Sequence, residues 1–234
     1  MRLPLFSKHR KNKSMNKNAQ RGNAVVFILI AIALFGALAF TFMRGAKTGQ
    51  GNLTAGQAKL IATEMISHAS AMEKATNKLL SKGCSENELN FYDPLIPTAL
   101  NPSAPADDHC DIFNASAGGM TANVFSQYAP VGAGPSSVVN ITGTTTSEPD
   151  LGYYFAGMSD ALCKEINKQL GIDNPETIPE DSTVTAAAPF TGTFTVGAAD
   201  DYNDEDPRID GKTSACIKIT AVSVNSFYTV LIDR

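Results

Sequence analysis

AVVFILIAIALFGALAFTFM, Ala24 to Met43, is a run of 20 residues without a charged side chain. A helix needs about 20 apolar residues to cross a hydrocarbon core, because each adds only about 1.5 Å of rise. The run is apolar on every side, so it does not read as the buried face of a soluble helix. Its flanks differ in charge. Ahead of it stand Arg2, Lys8, Arg10, Lys11, Lys13, Lys17 and Arg21 with no acidic residue, and just behind it only Arg44 and Lys47. Basic residues stay on the cytoplasmic side, which places residues 1–22 inside and residues 44–234 outside. The full chain of 234 residues has a formal charge of −4. All 23 acidic residues lie beyond residue 22 with the remaining 12 basic ones, so the outward part carries −11. A basic tail can signal nucleic acid. Directly ahead of a membrane-length run it is a topology signal instead, and no nucleic-acid partner is expected.

The cysteines agree with that topology. Cys84, Cys110, Cys163 and Cys216 all lie in the outward part. An even count in an exported chain suggests disulfides. None has the close C-x-x-C spacing of a zinc or redox motif. Three pairings are open, and proximity along the chain favours Cys84–Cys110 and Cys163–Cys216. Each such link would contribute roughly 3–4 kcal/mol in the loop-entropy picture.

Four segments follow from the patterning: a basic leader over 1–22, a membrane helix over 23–43, a glycine-rich joint with an amphipathic helix over 44–82, and an extracytoplasmic globular domain over 83–234. Gly45, Gly49, Gly51 and Gly56 each weaken a helix by about 1 kcal/mol relative to Ala, which makes RGAKTGQGNLTAGQ, residues 44–57, a joint or a loosened stretch of a longer helix. Thr54 and Gln57 have capping-box spacing. Ala58, Ile61, Ala62, Met65, Ala69, Met72, Ala75 and Leu79 then recur at three- and four-residue steps, which predicts a helix over 55–82 stopped by Gly83. Residues 84–119 hold Pro94, Pro97, Pro102 and Pro105 and are expected to be irregular, tied at their ends by Cys84 and Cys110.

Strands are expected at Asn123–Tyr128, Ser137–Thr142, Leu151–Ala156, Thr183–Ala187, Phe190–Val196, Ser214–Val222 and Ser226–Ile232. The last two read as a hairpin turning through Ser223, Val224 and Asn225. Both faces of the final strand are apolar, which puts it inside the sheet. A second helix reads SDALCKEINKQLG, with Ser159 as N-cap, Leu162, Ile166 and Leu170 buried, and Gly171 as the stop. The fold class is α+β: a long N-terminal helix, half transmembrane and half amphipathic, packed on an antiparallel sheet domain.

Motifs for catalysis are missing. There is no nucleophile elbow, phosphate loop, zinc-binding histidine pair or dinucleotide fingerprint, so no enzyme activity and no cofactor are expected. His68 on the helix and His109 in the loop read as surface histidines. His109 with Cys110 and Cys84 could form a partial metal site, against which disulfide pairing is the stronger reading. The run Asp200 to Asp206 offers Asp201, Asn203 and Glu205 as alternating oxygen ligands for calcium. It lacks the glycine and the distal glutamate of an EF-hand loop, and a solvated acidic loop is the plainer reading.

The N-terminal arrangement resembles a type IV pilin or type II secretion pseudopilin precursor: a basic leader ending in Gly22, an immediate apolar run, and an amphipathic helix continuing it. The resemblance is specific over residues 15–43 and architectural beyond them. It implies cleavage by a prepilin peptidase between Gly22 and Asn23 and methylation of the new N-terminus. Met15 is an alternative start, leaving the leader MNKNAQRG. It also implies a pilin-like fold, with Cys163 and Cys216 as the C-terminal pair enclosing a variable segment, and kinship of the acidic run with the calcium loop of some major pseudopilins. The implied partners are the inner membrane, the peptidase and other pilin-like subunits. The implied place is a single-pass inner-membrane protein, cytoplasmic at its N-terminus, with its C-terminal domain in the periplasm or on an extracellular filament. In filament-forming members the fifth mature residue is usually glutamate; here it is Phe27, an absence that minor or initiating members tolerate better, and the sequence leaves major or minor subunit open. The alternative is an exported or anchored periplasmic binding or assembly protein. It would have either a conventional signal peptide cut after Ala37-Leu38-Ala39, leaving Phe40 first, or an uncleaved anchor.

Overall fold

The computed structural model describes Ile28, Ile30 and residues 53–92, 101–122, 125–141, 149–182, 190–194, 201–202 and 206–234. The chain divides into two compact units, Met1–Thr48 and Gly49–Arg234. In the first unit Ile28 and Ile30 are helical and exposed. The leader and the rest of the apolar run lie outside the described residues. Among the described residues, no helix is long and apolar enough to cross a membrane.

The second unit is α+β. Helix α1 spans Ala55–Ser81 and begins at a capping box. Thr54 is extended, its Oγ1 accepts from the Gln57 N–H, and Gln57 Oε1 accepts from the Thr54 N–H in return. Two orphan donors of the first turn are thereby satisfied. The amphipathic half of the expected long helix thus starts on its own cap, and its apolar half, Ile28 and Ile30 aside, lies outside the described residues. At the other end Gly83 takes φ +103°, a left-handed conformation that glycine adopts at little cost, and the Cys84 N–H reaches back to the Leu79 carbonyl. The eight expected stripe residues are all buried, joined by Thr76, whose hydroxyl bonds the Met72 carbonyl.

Among the described residues six strands follow: β1 Gly132–Ile141, β2 Asp150–Met158, β3 Glu180–Asp181, β4 Asp201–Tyr202, β5 Ser214–Ile219 and β6 Val224–Ile232. A short helix α2, Asp160–Gln169, stands between β2 and β3. The sheet order is β3-β5-β6-β2-β1-β4. The inner four strands are antiparallel, but β3 joins β5 and β4 joins β1 in parallel, so the sheet is mixed rather than antiparallel. The parallel pairs are two residues long and come from loop segments reaching the sheet edges. Such additions leave little periodic signal in a sequence.

Strand β6 lies between β5 and β2 and is buried at every position but Val224. Its alternation serves two cores. Phe227 and Leu231 join the α1 stripe, with Phe155 of β2 stacked on Phe227 at 6.0 Å between ring centroids. Tyr228 and Val230 face Ile172, Ile209 and Ile217 on the other side. The β5–β6 hairpin turns over Thr220–Ser223, earlier than expected, with Ile219 opposite Val224 and Ser223 at φ 54°. Two expected strands are corrected. Residues 125–128 form turns, carrying Phe125 into the core, and residues 190–194 are irregular around Phe190. In both, apolar residues mark anchoring points of loops rather than strand pairing. Thr183–Ala187 lies outside the described residues.

Each large apolar side chain fully buried in the α1 stripe contributes roughly 1.5–3 kcal/mol. Met65→Ala empties space around a fully buried side chain and is expected to lower the unfolding free energy by about 2–5 kcal/mol. Leu60→Ala, on the exposed face of α1, is expected to stay within about 0.5 kcal/mol of the parent. Urea unfolding followed by tyrosine fluorescence measures both, since the chain has six tyrosines and no tryptophan. Equal losses would contradict this assignment of faces.

Candidate functional site

Both disulfides join the pairs closest in sequence. Cys84 and Cys110 are linked with Cα atoms 5.8 Å apart, and Cys163 and Cys216 with Cα atoms 5.4 Å apart. The first ties the proline-rich loop to the end of α1. The second ties α2 to β5. Asn167, one turn after Cys163, adds a second tie. Its Nδ2 donates to the Cys216 carbonyl at 2.7 Å and its Oδ1 accepts from the Cys216 N–H at 2.8 Å. A side-chain amide thus pairs with the strand as a neighbouring backbone would, fully buried. Its spacing from Cys163 put it on the cysteine's face of the helix, and that was the one signal for it in the sequence.

The loop carries its own polar core. Asn101 Nδ2 donates to the carbonyls of Asn87 and Leu89, and the Asn101 N–H donates to Asn90 Oδ1. Asn90 Nδ2 in turn donates to Asp111 Oδ2, while Asp111 Oδ1 accepts from the Phe113 N–H. Burial pushes the Asp111 carboxyl above its ordinary range, against the pull of these donors. Beside it opens a cleft of about 480 Å³ lined by Tyr92, Phe113, Met120 and Asn114. Both Asp111 oxygens are already occupied, so it braces the loop rather than offering a free acid to the cleft.

His109 meets Asp107 through Nδ1, and that hydrogen bond holds the Asp107 carboxyl below its usual range. A ring nitrogen of His109 and the sulfurs of Cys84 and Cys110 lie within 4.8 Å of one another. With both cysteines in the bridge and no free thiol among the described residues, this group offers no thiolate. His68 departs from the surface position expected of it. It is half-buried on α1, edge-on to Phe125 at 5.4 Å and to Phe155 at 6.2 Å. Burial lowers its pKa.

The calcium candidates are not brought together among the described residues. Asp201 belongs to β4, opposite Asn140, while Asn203 and Glu205 lie outside. The neighbouring Asp206 spends both oxygens on Arg208, which also donates to the Asn174 and Thr177 carbonyls and clamps two loops over the second core. That ion pair keeps the Asp206 carboxyl low. The processing residues Gly22 and Asn23 lie outside the described residues. Comparison of the chain with protein-family models, curated proteins and solved structures finds no match in any of the three.

His68 gives the domain a pH dependence of known sign. Its folded pKa lies below the ordinary 6.5, so the unfolded chain takes up the proton first as pH falls. The stability from keeping it neutral is complete well above pH 6.5 and declines as pH drops through that value. Thermal unfolding is expected to show a smaller loss of Tm between roughly pH 7.5 and 5 in His68→Phe than in the parent. Identical profiles would contradict the assignment.

Proposed function

We propose that this chain is a pilin-like or pseudopilin subunit, a structural component of an envelope-spanning filament or secretion assembly rather than an enzyme. Its leader is cut after Gly22 by a prepilin peptidase, and residues 24–43 hold it in the inner membrane. The acidic body then faces the periplasm or the outside of a filament. The observation that carries this reading is α1. It is a 27-residue helix that buries an alanine- and methionine-rich stripe on a sheet, in the segment directly following a membrane-length apolar run. The two disulfides also support it, since such bonds persist in oxidising compartments outside the cytoplasm.

The role is mechanical. Moving the apolar run from lipid into a bundle of like helices exchanges lipid contacts for protein contacts. In filament-forming members a glutamate at the fifth mature position pairs with the terminal amine of a neighbour. Phe27 removes that pairing and spares the membrane an unpaired carboxylate. A minor or initiating subunit fits this better than a major one. One observation favours the alternative of an anchored periplasmic domain: α1 starts on its own capping box, as the body of an anchored domain hung on a joint would.

The variant Phe27→Glu separates the two. In cells with an intact assembly machine, the subunit reading expects more protein released from the surface by shearing for Phe27→Glu than for the parent. An anchored domain stays in the membrane fraction in both, and no gain in sheared protein would overturn the subunit role.

A further inference from the structure

We propose that the corner formed by Cys84, Cys110 and His109 binds one zinc-class divalent cation when its disulfide is open, so that bridge and metal are alternative states of one site. A ring nitrogen and both sulfurs already lie within 4.8 Å of one another. Two thiolates and an imidazole are the donors of a borderline-soft tetrahedral ion, at about 2.3 Å to sulfur and about 2.0 Å to nitrogen. A tetrahedral centre needs the sulfurs roughly 3.7 Å apart. The two Cα atoms stand 5.8 Å apart, so both side chains can reach one centre without moving the backbone.

The surroundings favour a metal. Asp107 contacts His109 Nδ1, and an ionised carboxylate can only accept there, so Nδ1 carries the proton and the Nε2 lone pair is left for the ion. A carboxylate fixing the tautomer of a histidine ligand is a recurring outer-shell arrangement. Cys84 is anchored by its N–H to Leu79 at the end of α1, and Cys110 by its carbonyl to the Asn90 N–H. Both sulfurs sit on backbone that other contacts hold. Cys110 is fully buried while the His109 side chain is half exposed, so the ion enters from the histidine side. The fourth position goes to water.

The redox step balances. A dithiol reductant gives two electrons and two protons to the Cys84–Cys110 bond and itself becomes a disulfide. The two thiols then release their protons as the sulfurs bind the cation. In that state the metal replaces the covalent link as the tie across the loop and shields the thiols from pairing with Cys163 or Cys216.

The test uses the full-length protein, reduced with a phosphine and titrated with Co²⁺, whose thiolate charge-transfer absorption reports sulfur ligation. The reduced parent is expected to bind one Co²⁺ and the oxidised parent none. His109→Ala, altering an exposed side chain, is expected to weaken binding at least about tenfold, and Asp107→Asn about tenfold. Cys163→Ser is expected to keep the band. Absence of the band in the reduced parent would overturn the proposal, as would a band in the oxidised protein or one unmoved by His109→Ala. Loss in Cys163→Ser with retention in His109→Ala would place the metal at the other cysteine pair and overturn it equally.

Discussion

Burial of one stripe of α1 against β2 and β6 is the contact on which the rest of the second unit depends. Met65, Met72 and Leu79 lie fully buried in the same core as Phe155 and Phe227. The stripe is made of small and flexible side chains, which lets the helix sit close to a sheet face already filled by aromatic rings. Everything else is fastened to this pair of layers. Helix α2 docks on α1 through Gln169, which donates to the Lys59 carbonyl and accepts from the Thr63 hydroxyl. The loop after α1 is held by the Cys84–Cys110 bridge and by Lys78, which donates to the Ala117 carbonyl.

Long irregular segments are a hazard for such a fold, because backbone groups carried into the interior need partners. Three asparagines and an arginine meet that need here. Asn90 and Asn101 satisfy the proline-rich loop from within, Asn167 substitutes for a strand at the edge of β5, and Arg208 gathers two loops over Ile172 and Ile209. The disulfides act on the same segments. Covalent and polar ties therefore hold the irregular segments against the regular elements.

The regular elements were legible because their periodicity is strong. The stripe of α1, the capping box at Thr54 and the two-sided burial of β6 follow from spacing alone. The cysteine pairing followed from proximity. Other features rest on tertiary context and left little trace. Residues 125–128 and 190–194 have apolar content suited to a strand, yet Phe125 and Phe190 serve as loop anchors. The parallel partners β3 and β4 are too short to show a period. His68 stands three residues after Met65 and four before Met72, on the stripe itself, so its half-burial was legible in the spacing, while its ring contact with Phe125 comes from a loop remote in sequence.

The two parts of this chain differ sharply in composition. An uncharged run of membrane length follows a basic leader, and an acidic, disulfide-tied α+β body follows the run. The proposed link between them is a leader removed after Gly22 so that the apolar helix can enter an assembly. Mass spectrometry of the N-terminus of the protein purified from its native membrane tests that link directly. The account predicts a chain beginning at methylated Asn23. A chain beginning at Phe40, or one retaining the leader, would contradict it.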